Sequence, residues 1–175
     1  MDALQFVVDS VLTFLVYAFL LRVLLPLARA DFRNPLAQAI LALTSWLVLP
    51  LRRVLPPLGR LDTASVVALL AVQFGATMLL FWMQTRELLP FLPLAVVALR
   101  TLLLTLLLLY TVLIFVYVLL SFIAPGVRSP ATSLLASLCE PLLGPLRRIL
   151  PVVGGLDFSP LVAIVGLQAL RLLIN

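Results

Sequence analysis

A group of three charged residues occurs twice in this chain at the same spacing. Two adjacent arginines are followed by an aspartate ten residues after the first arginine: Arg52, Arg53 and Asp62, then Arg147, Arg148 and Asp157. Guanidinium groups bind carboxylates and phosphates through paired N–H donors. In one interpretation the aspartate caps the helix that follows it, and an arginine folds back to pair with it. Alternatively, the arginines hold lipid phosphates, or they line a pore or contact a partner. The spacing leaves all three open.

The sequence around these groups is duplicated without a gap. Residues 50–74 read PLRRVLPPLGRLDTASVVALLAVQF and residues 145–169 read PLRRILPVVGGLDFSPLVAIVGLQA, and each position lies 95 after its match. Of the 25 aligned positions, 12 are identical. Spaced prolines, arginines and a glycine rarely recur in this way by chance, so we infer a duplicated unit.

The composition is that of a membrane protein. The chain has 175 residues, of which 64% are hydrophobic and 11% charged, and its mean hydropathy is +1.26. Soluble domains are about a quarter charged, so the apolar excess must face lipid. All 12 basic residues are arginine, and the net charge is +5. Because they stand between apolar segments, we expect them to set membrane topology and to contact anionic lipid headgroups, not nucleic acid.

Few residues could perform catalysis or bind a metal. There is one cysteine, Cys139, and no histidine, which excludes an intrachain disulfide and argues against a zinc site or a histidine-based catalytic site. Ser133, Ser137 and Ser159 have no base at a suggestive spacing, so an intramembrane enzyme is the third choice. We therefore expect no enzyme activity, catalytic residue, metal or cofactor.

The hydrophobic segments predict an all-α membrane protein with four transmembrane helices in two parallel repeats. Each repeat consists of a transmembrane helix, a short interfacial or re-entrant helix, a turn of proline, arginine and glycine, and a second transmembrane helix. The first repeat, residues 1–83, has helices at about 6–25, 35–49 and 62–83. A short loop covers residues 84–93. The second repeat, residues 94–175, has helices at about 96–122, 130–144 and 158–174.

Local signals place the ends of the short helices. Asn34-Pro35, Ser129-Pro130 and Ser159-Pro160 each pair a capping residue with proline in the first turn. Pro50 is expected to stop the first short helix, which is then about 22 Å long and too short to span. Glu140-Pro141 is expected to end the second. The aspartates of the two charged groups are expected to accept hydrogen bonds from N–H groups of the next helix.

Some polar residues lie inside the apolar segments. We expect Arg22 and Arg100 to reach the interface by snorkelling. Gln73 and Gln168 match in the two copies and should be buried against another helix, where packing is a better explanation than substrate contact. Arginine is concentrated in residues 28–61 and 123–157, so both long connections are predicted to be cytoplasmic and both termini periplasmic.

The second copy resembles the YggT family, small bacterial inner-membrane proteins with chloroplast relatives. The motifs are E-P-L-L-x-P-L-R-R-I-L-P at Glu140–Pro151 and G-G-L-D-x-S-P at Gly154–Pro160. The first copy departs from them: Ser45-Trp46 replace Glu-Pro, Arg60 replaces the second glycine, and Ala64-Ser65 replace Ser-Pro. The resemblance implies links to osmotic stress tolerance, cell division and envelope organisation. Chloroplast relatives are associated with haem attachment, but this chain has neither a histidine nor the C-x-x-C-H motif.

These observations favour a non-enzymatic scaffold or assembly factor in the bacterial inner membrane. It would act through helix contacts, lipid headgroups and two arginine-containing hairpins that face a membrane protein partner or a second copy of the chain. The alternative is a small channel or transporter that works as an oligomer in osmotic or ion homeostasis, because internal repeats and mid-membrane glutamines are common in transporters.

Overall fold

The computed structural model describes residues 3–56, 61–123, 129–150 and 157–174. Every regular element that it assigns in these residues is a helix: α1 (Ala3–Leu27), α2 (Pro35–Arg52), α3 (Thr63–Thr85), α4 (Phe91–Ile123), α5 (Pro130–Ile149) and α6 (Ser159–Ile174). The prediction of an all-α chain is confirmed. The predicted turns lie partly outside the described residues, because 57–60 and 151–156 are not among them.

Four of the described helices, α1 to α4, are long and apolar enough to cross a membrane. They have 18 to 33 residues, which is about 27 to 50 Å of helix, against a hydrocarbon core of about 30 Å. Their outward faces carry large apolar side chains such as Phe14 and Phe115, which are 60% and 55% exposed. Lipid gives such surfaces an apolar environment. Helix α6, at 16 residues, is shorter than these four.

Helices α2 and α5 correspond to the two predicted short helices, and both continue past the prolines that were expected to stop them. The expectation that α2 is too short to span was wrong, because its 18 residues are long and apolar enough to cross a membrane. Helix α2 runs through Pro50 to Arg52, and α5 runs through Pro141 and Pro145 to Ile149. A proline costs one backbone hydrogen bond because it has no N–H. All three prolines are exposed, so headgroups or water can satisfy the carbonyl left without a donor. Arg147 and Arg148 consequently lie in the last turn of a helix and not in an irregular turn.

The helix starts agree with the sequence signals in two of three cases. Asn34 Oδ1 accepts from the Leu36 N–H at 2.9 Å, and Ser129 forms a capping box with Thr132. The prediction for Ser159 was wrong, because α6 begins at this residue and its buried hydroxyl has no partner among the described residues. The N–H of Ser159 instead donates to Asp157 Oδ1 at 2.9 Å.

The chain forms two compact units. Unit 1 comprises Met1–Pro26 and Ile40–Leu103, and unit 2 comprises Leu27–Ala39 and Leu104–Asn175. The bounds of these units differ from those of the predicted repeats, 1–83 and 94–175. The repeats stay a prediction.

In unit 1, α1 and α3 run antiparallel. Gln5 near the start of α1 donates to the carbonyl of Met83 near the end of α3 at 3.3 Å. Near the other end of α1, Arg22 donates to Ser65 in the first turn of α3 at 3.0 Å. Phe19 on α1 is fully buried, as are Val48 on α2 and Ala68 on α3.

In unit 2, apolar residues of α4, α5 and α6 form one buried cluster. The buried cluster contains Leu107 and Ile114 from α4, Cys139 and Leu143 from α5, and Ala163 and Leu167 from α6. Asn34 joins this unit, since its Nδ2 donates to the carbonyl of Pro130 at 2.6 Å and to Ser133 Oγ at 3.2 Å. The capping residue of α2 therefore also holds the start of α5.

Candidate functional site

In the first copy, the arginine at the end of α2 binds the aspartate before α3. Arg52 Nη2 lies 2.5 Å from Asp62 Oδ2, and Arg52 Nε lies 3.3 and 3.2 Å from the two carboxylate oxygens. The aspartate side chain is 14% exposed and the arginine side chain 47%. Asp62 occupies the N-cap position of α3, but its carboxylate makes no capping hydrogen bond. The expectation that it would accept from helical N–H groups was wrong, because Arg52 and Ser65 supply its donors.

The same carboxylate is joined to a buried arginine through a serine. Ser65 Oγ donates to Asp62 Oδ2 at 2.5 Å and accepts from Arg22 Nε at 3.0 Å. Arg22 Nη1 also donates to the Leu41 carbonyl at 2.9 Å and to Thr44 Oγ1 at 2.7 Å. We call Arg22, Thr44, Arg52, Asp62 and Ser65 the first-copy cluster. It connects α1, α2 and α3 through one set of polar contacts.

The prediction that Arg22 snorkels to the interface was wrong. Arg22 is 3% exposed. Its guanidinium stays inside because α2 and α3 present acceptors to it, so it needs no water. The sequence did contain a signal for this burial, because Arg22 lies within the apolar α1 and an ionisable residue in a membrane helix usually faces the protein interior. Sequence reasoning had given no role to Thr44 or Ser65.

In the second copy, one arginine contacts two carboxylates. Arg147 Nε donates to Asp157 Oδ2 at 2.8 Å, and Arg147 Nη1 donates to Glu140 Oε2 at 3.2 Å. The aspartate is more open than in the first copy, since the Asp157 side chain is 36% exposed and that of Asp62 is 14% exposed, whereas Arg147 is 34% exposed and Glu140 64%. Gly144 makes room for Glu140, because a Cβ at this glycine would lie 3.1 Å from Glu140 Oε1.

The buried polar positions of the first copy are replaced in the second. At the shared spacing of 95, Arg22 matches Tyr117, Thr44 matches Cys139, and Ser65 matches Pro160; Ser45 matches Glu140. The first-copy cluster thus has two cations and one carboxylate, whereas the second copy has one cation and two carboxylates at the matching place. We call Tyr117, Glu140, Arg147 and Asp157 the second-copy cluster.

A cavity of about 210 Å³ adjoins the second-copy cluster. It is lined by Tyr117, Val118, Ser121, Phe122, Arg147, Asp157 and Pro160. Two of these residues, Tyr117 and Pro160, match Arg22 and Ser65. The cavity therefore adjoins the part of the second copy that lacks the internal guanidinium and its serine acceptor. We refer to it as the Tyr117 cavity.

The remaining predicted residues lie apart from these contacts. Arg53 and Arg148 are exposed beside the paired arginines. Gln73 is 3% exposed, and its Nε2 donates to Thr77 Oγ1 on the same helix at 3.1 Å. Gln168 is half-buried on α6. Within the described ranges, no three His, Cys, Asp or Glu side chains come together as metal ligands.

The two aspartates have pKa values below the ordinary 3.8 of an aspartate. Burial opposes this shift, since it favours the neutral acid. Hydrogen bonds from Arg52 and Ser65 outweigh burial and lower the pKa of Asp62. Hydrogen bonds from Arg147 and Ser159 do the same for the pKa of Asp157. Both side chains are therefore carboxylates at neutral pH.

Replacing Arg22 by methionine should destabilise the protein. The change keeps an unbranched apolar stem but removes the guanidinium, and it leaves Ser65, Thr44 and the Leu41 carbonyl without their cationic donor, at a cost of about 2–3 kcal/mol. Denaturant titration in detergent micelles measures this loss. Arg33→Met removes an exposed arginine and should stay within about 0.5 kcal/mol of the parent. Equal losses for the two variants would contradict a structural role for the buried guanidinium.

Acid should weaken the fold through the two aspartates. Because their folded-state pKa values lie below the ordinary one, the stability they contribute is complete above about pH 4 and is lost as the pH falls through the folded-state values. Thermal unfolding in detergent from pH 7 to pH 2.5 should show this loss. The loss of stability should be smaller in Asp62→Asn and Asp157→Asn, which are less stable than the parent at neutral pH. Acid sensitivity retained in full by both aspartate variants would contradict the assignment.

Comparison with known proteins supplies the family. The CCB3/YggT family profile matches residues 1–83 and 96–175. The uncharacterized protein YggT of Escherichia coli K12 is 35% identical over 173 residues, covering 98% of this chain and 89% of the relative. An uncharacterized protein of Pseudomonas aeruginosa is also 35% identical, over 89% of this chain and 79% of the relative.

A third relative is described as an uncharacterized protein in the proC 3' region of Vibrio alginolyticus. It is 34% identical, over 96% of this chain and 91% of the relative. No solved structure gives a significant match. The profile match over both halves and the identity along nearly the whole length show that this chain belongs to the CCB3/YggT family.

Proposed function

We propose that this chain is a non-enzymatic membrane scaffold or assembly factor that presents two arginine-bearing helix ends to a partner. One observation supports this most strongly. In each copy an arginine is held in place by the aspartate ten residues after it, and the next residue is a second, exposed arginine. The pair fixes the end of one helix against the start of the next, so the neighbouring arginine projects from a defined surface.

A fixed surface of this kind suits recognition. Binding loses less entropy when the helix end that carries the contact residue is already held in place. Arginine is also enriched at protein interfaces, where its planar donors bind carboxylates in pairs. Within the part of the chain that the structure describes, Arg53 and Arg148 make no aspartate contact, so they are the proposed points of contact. The partner is a membrane protein or a second copy of this chain.

The location follows from the charge distribution. We place the chain in the bacterial inner membrane, with both arginine-rich connections on the cytoplasmic face and both termini in the periplasm. In this arrangement the two copies are parallel repeats, and both arginine-bearing ends lie at one membrane surface. Anionic lipid headgroups would then contact the same arginines when no partner is bound. Envelope organisation, cell division and osmotic stress tolerance are the processes that this role would serve.

A small channel or transporter, formed by an oligomer, is the alternative proposal. It depends on Gln73 and Gln168 facing a path through the membrane. The contact between Gln73 and Thr77 on one helix favours packing instead, because the amide already has a local acceptor. Ion flux into liposomes that disappears when both glutamines become leucine would favour the channel.

Site-specific photo-crosslinking tests the scaffold directly. A photoreactive amino acid is placed at Arg53 or Arg148 in cells, with Phe115 as the control because it is 55% exposed on an apolar helix. We expect reproducible protein adducts at positions 53 and 148 and mainly lipid adducts at position 115. If positions 53 and 148 yield only lipid adducts, as the control does, the scaffold proposal is wrong and the lipid interpretation replaces it.

A further inference from the structure

We propose that the Tyr117 cavity of the second copy binds the guanidinium of an arginine side chain carried by a helix of the partner. This inference rests on the proposed scaffold function, because it specifies the chemistry by which the partner is recognised. It extends that proposal to a second kind of contact, in which the chain accepts a cation and does not supply one.

The first copy shows how such a contact can be made within one chain. There, the guanidinium of Arg22 is held beneath the aspartate by Ser65 and Thr44 and is almost fully buried. Arg22 lies on a separate helix, α1, and its guanidinium is the second cation in a cluster of two cations and one carboxylate. The first copy therefore contains the cation at this position within its own chain.

The second copy has the carboxylates but not this cation. Tyr117 stands at the position that matches Arg22, and the Tyr117 cavity opens beside Arg147 and Asp157. Glu140 adds a second carboxylate to the same arginine. Among the described residues that line the cavity, Arg147 and Asp157 are the charged ones, and Glu140 lies behind Arg147, so the second-copy cluster carries a net negative charge that favours a further cation over a phosphate. The neighbouring Arg148 is exposed and does not line the cavity.

The dimensions and lining of the cavity suit a guanidinium on an aliphatic stem. Its volume of about 210 Å³ is several times the roughly 30 Å³ that one water molecule takes in the liquid. Asp157 and Ser121 offer acceptors for N–H groups, and Tyr117 offers an aromatic ring for a cation. Val118, Phe122 and Pro160 offer apolar surface for the methylene groups. Arginine combines these planar donors with such a stem.

Methylguanidinium is the probe for this site. Added to the purified full-length protein in phosphatidylcholine nanodiscs, it should raise the midpoint of thermal unfolding with saturation, whereas tetramethylammonium, which has no N–H donor, should not. Arg22→Ala calibrates the probe, because it opens a matching site in the first copy and should regain stability when methylguanidinium is added. A parent protein that shows no saturable shift, in conditions where Arg22→Ala is rescued, would overturn the proposal.

Three variants locate the bound probe. Asp157→Asn should weaken methylguanidinium binding by at least about tenfold, and Glu87→Gln, which removes a carboxylate from an exposed loop, should leave it unchanged. The double variant Tyr117→Arg with Pro160→Ser copies the first-copy residues into the second copy, so it should fill the cavity and abolish binding. Unchanged affinity in both Asp157→Asn and the double variant would show that the probe binds elsewhere and would overturn the assignment.

The same double variant separates this inference from the scaffold proposal. Filling the Tyr117 cavity should reduce the protein adduct at position 148 and leave the adduct at position 53 intact. An undiminished adduct at 148 contradicts the arginine site but not the scaffold, and the absence of protein adducts at both positions contradicts the scaffold itself. The protein could instead be more stable in phosphatidylethanolamine nanodiscs than in phosphatidylcholine nanodiscs and show no response to methylguanidinium. That result would assign the cavity to a lipid ammonium group and overturn the arginine site.

Discussion

The pairing of an arginine with an aspartate ten residues further along the chain ties one helix end to the next helix start in both copies. A guanidinium or carboxylate near lipid is costly unless it is paired, so each group depends on the other for its position. The other polar contacts of the two clusters attach to these pairs. Ser65 and Arg22 reach the first aspartate, and Glu140 reaches the second arginine.

The two copies use the same pair in different surroundings. In the first, Asp62 is 14% exposed and connected to the buried Arg22. In the second, Asp157 is 36% exposed beside a cavity of about 210 Å³. Three substitutions at matching positions account for this difference, since tyrosine, cysteine and proline stand where the first copy has arginine, threonine and serine. The first copy thus has a closed polar network, and the second has room for another group.

The sequence predicted the features that depend on local chemistry. The helical class and the caps at Asn34 and Ser129 follow from residue type and spacing, and the contact between arginine and aspartate was one of three interpretations that the spacing left open. The errors have a common cause in tertiary context. Pro50 and Pro141 lie on exposed helix faces, where a missing N–H does little harm, so the helices continue past them. Arg22 stays inside because α2 and α3 supply acceptors that no pattern within α1 could reveal. Ser159 does not cap α6 because the helix begins at this residue.

Double-mutant cycles on the two pairs test the account most directly. The free energy of unfolding is measured for Arg52→Ala, Asp62→Ala and the double variant, and for Arg147→Ala, Asp157→Ala and their double variant. We predict a favourable coupling energy in both copies. Exposed ion pairs typically have coupling energies of about 0.2–1 kcal/mol. The coupling energy of the Arg52–Asp62 pair should exceed this range, and that of the more open Arg147–Asp157 pair should fall roughly within it. Losses that add within about 0.3 kcal/mol in both cycles would contradict the central role given to these pairs.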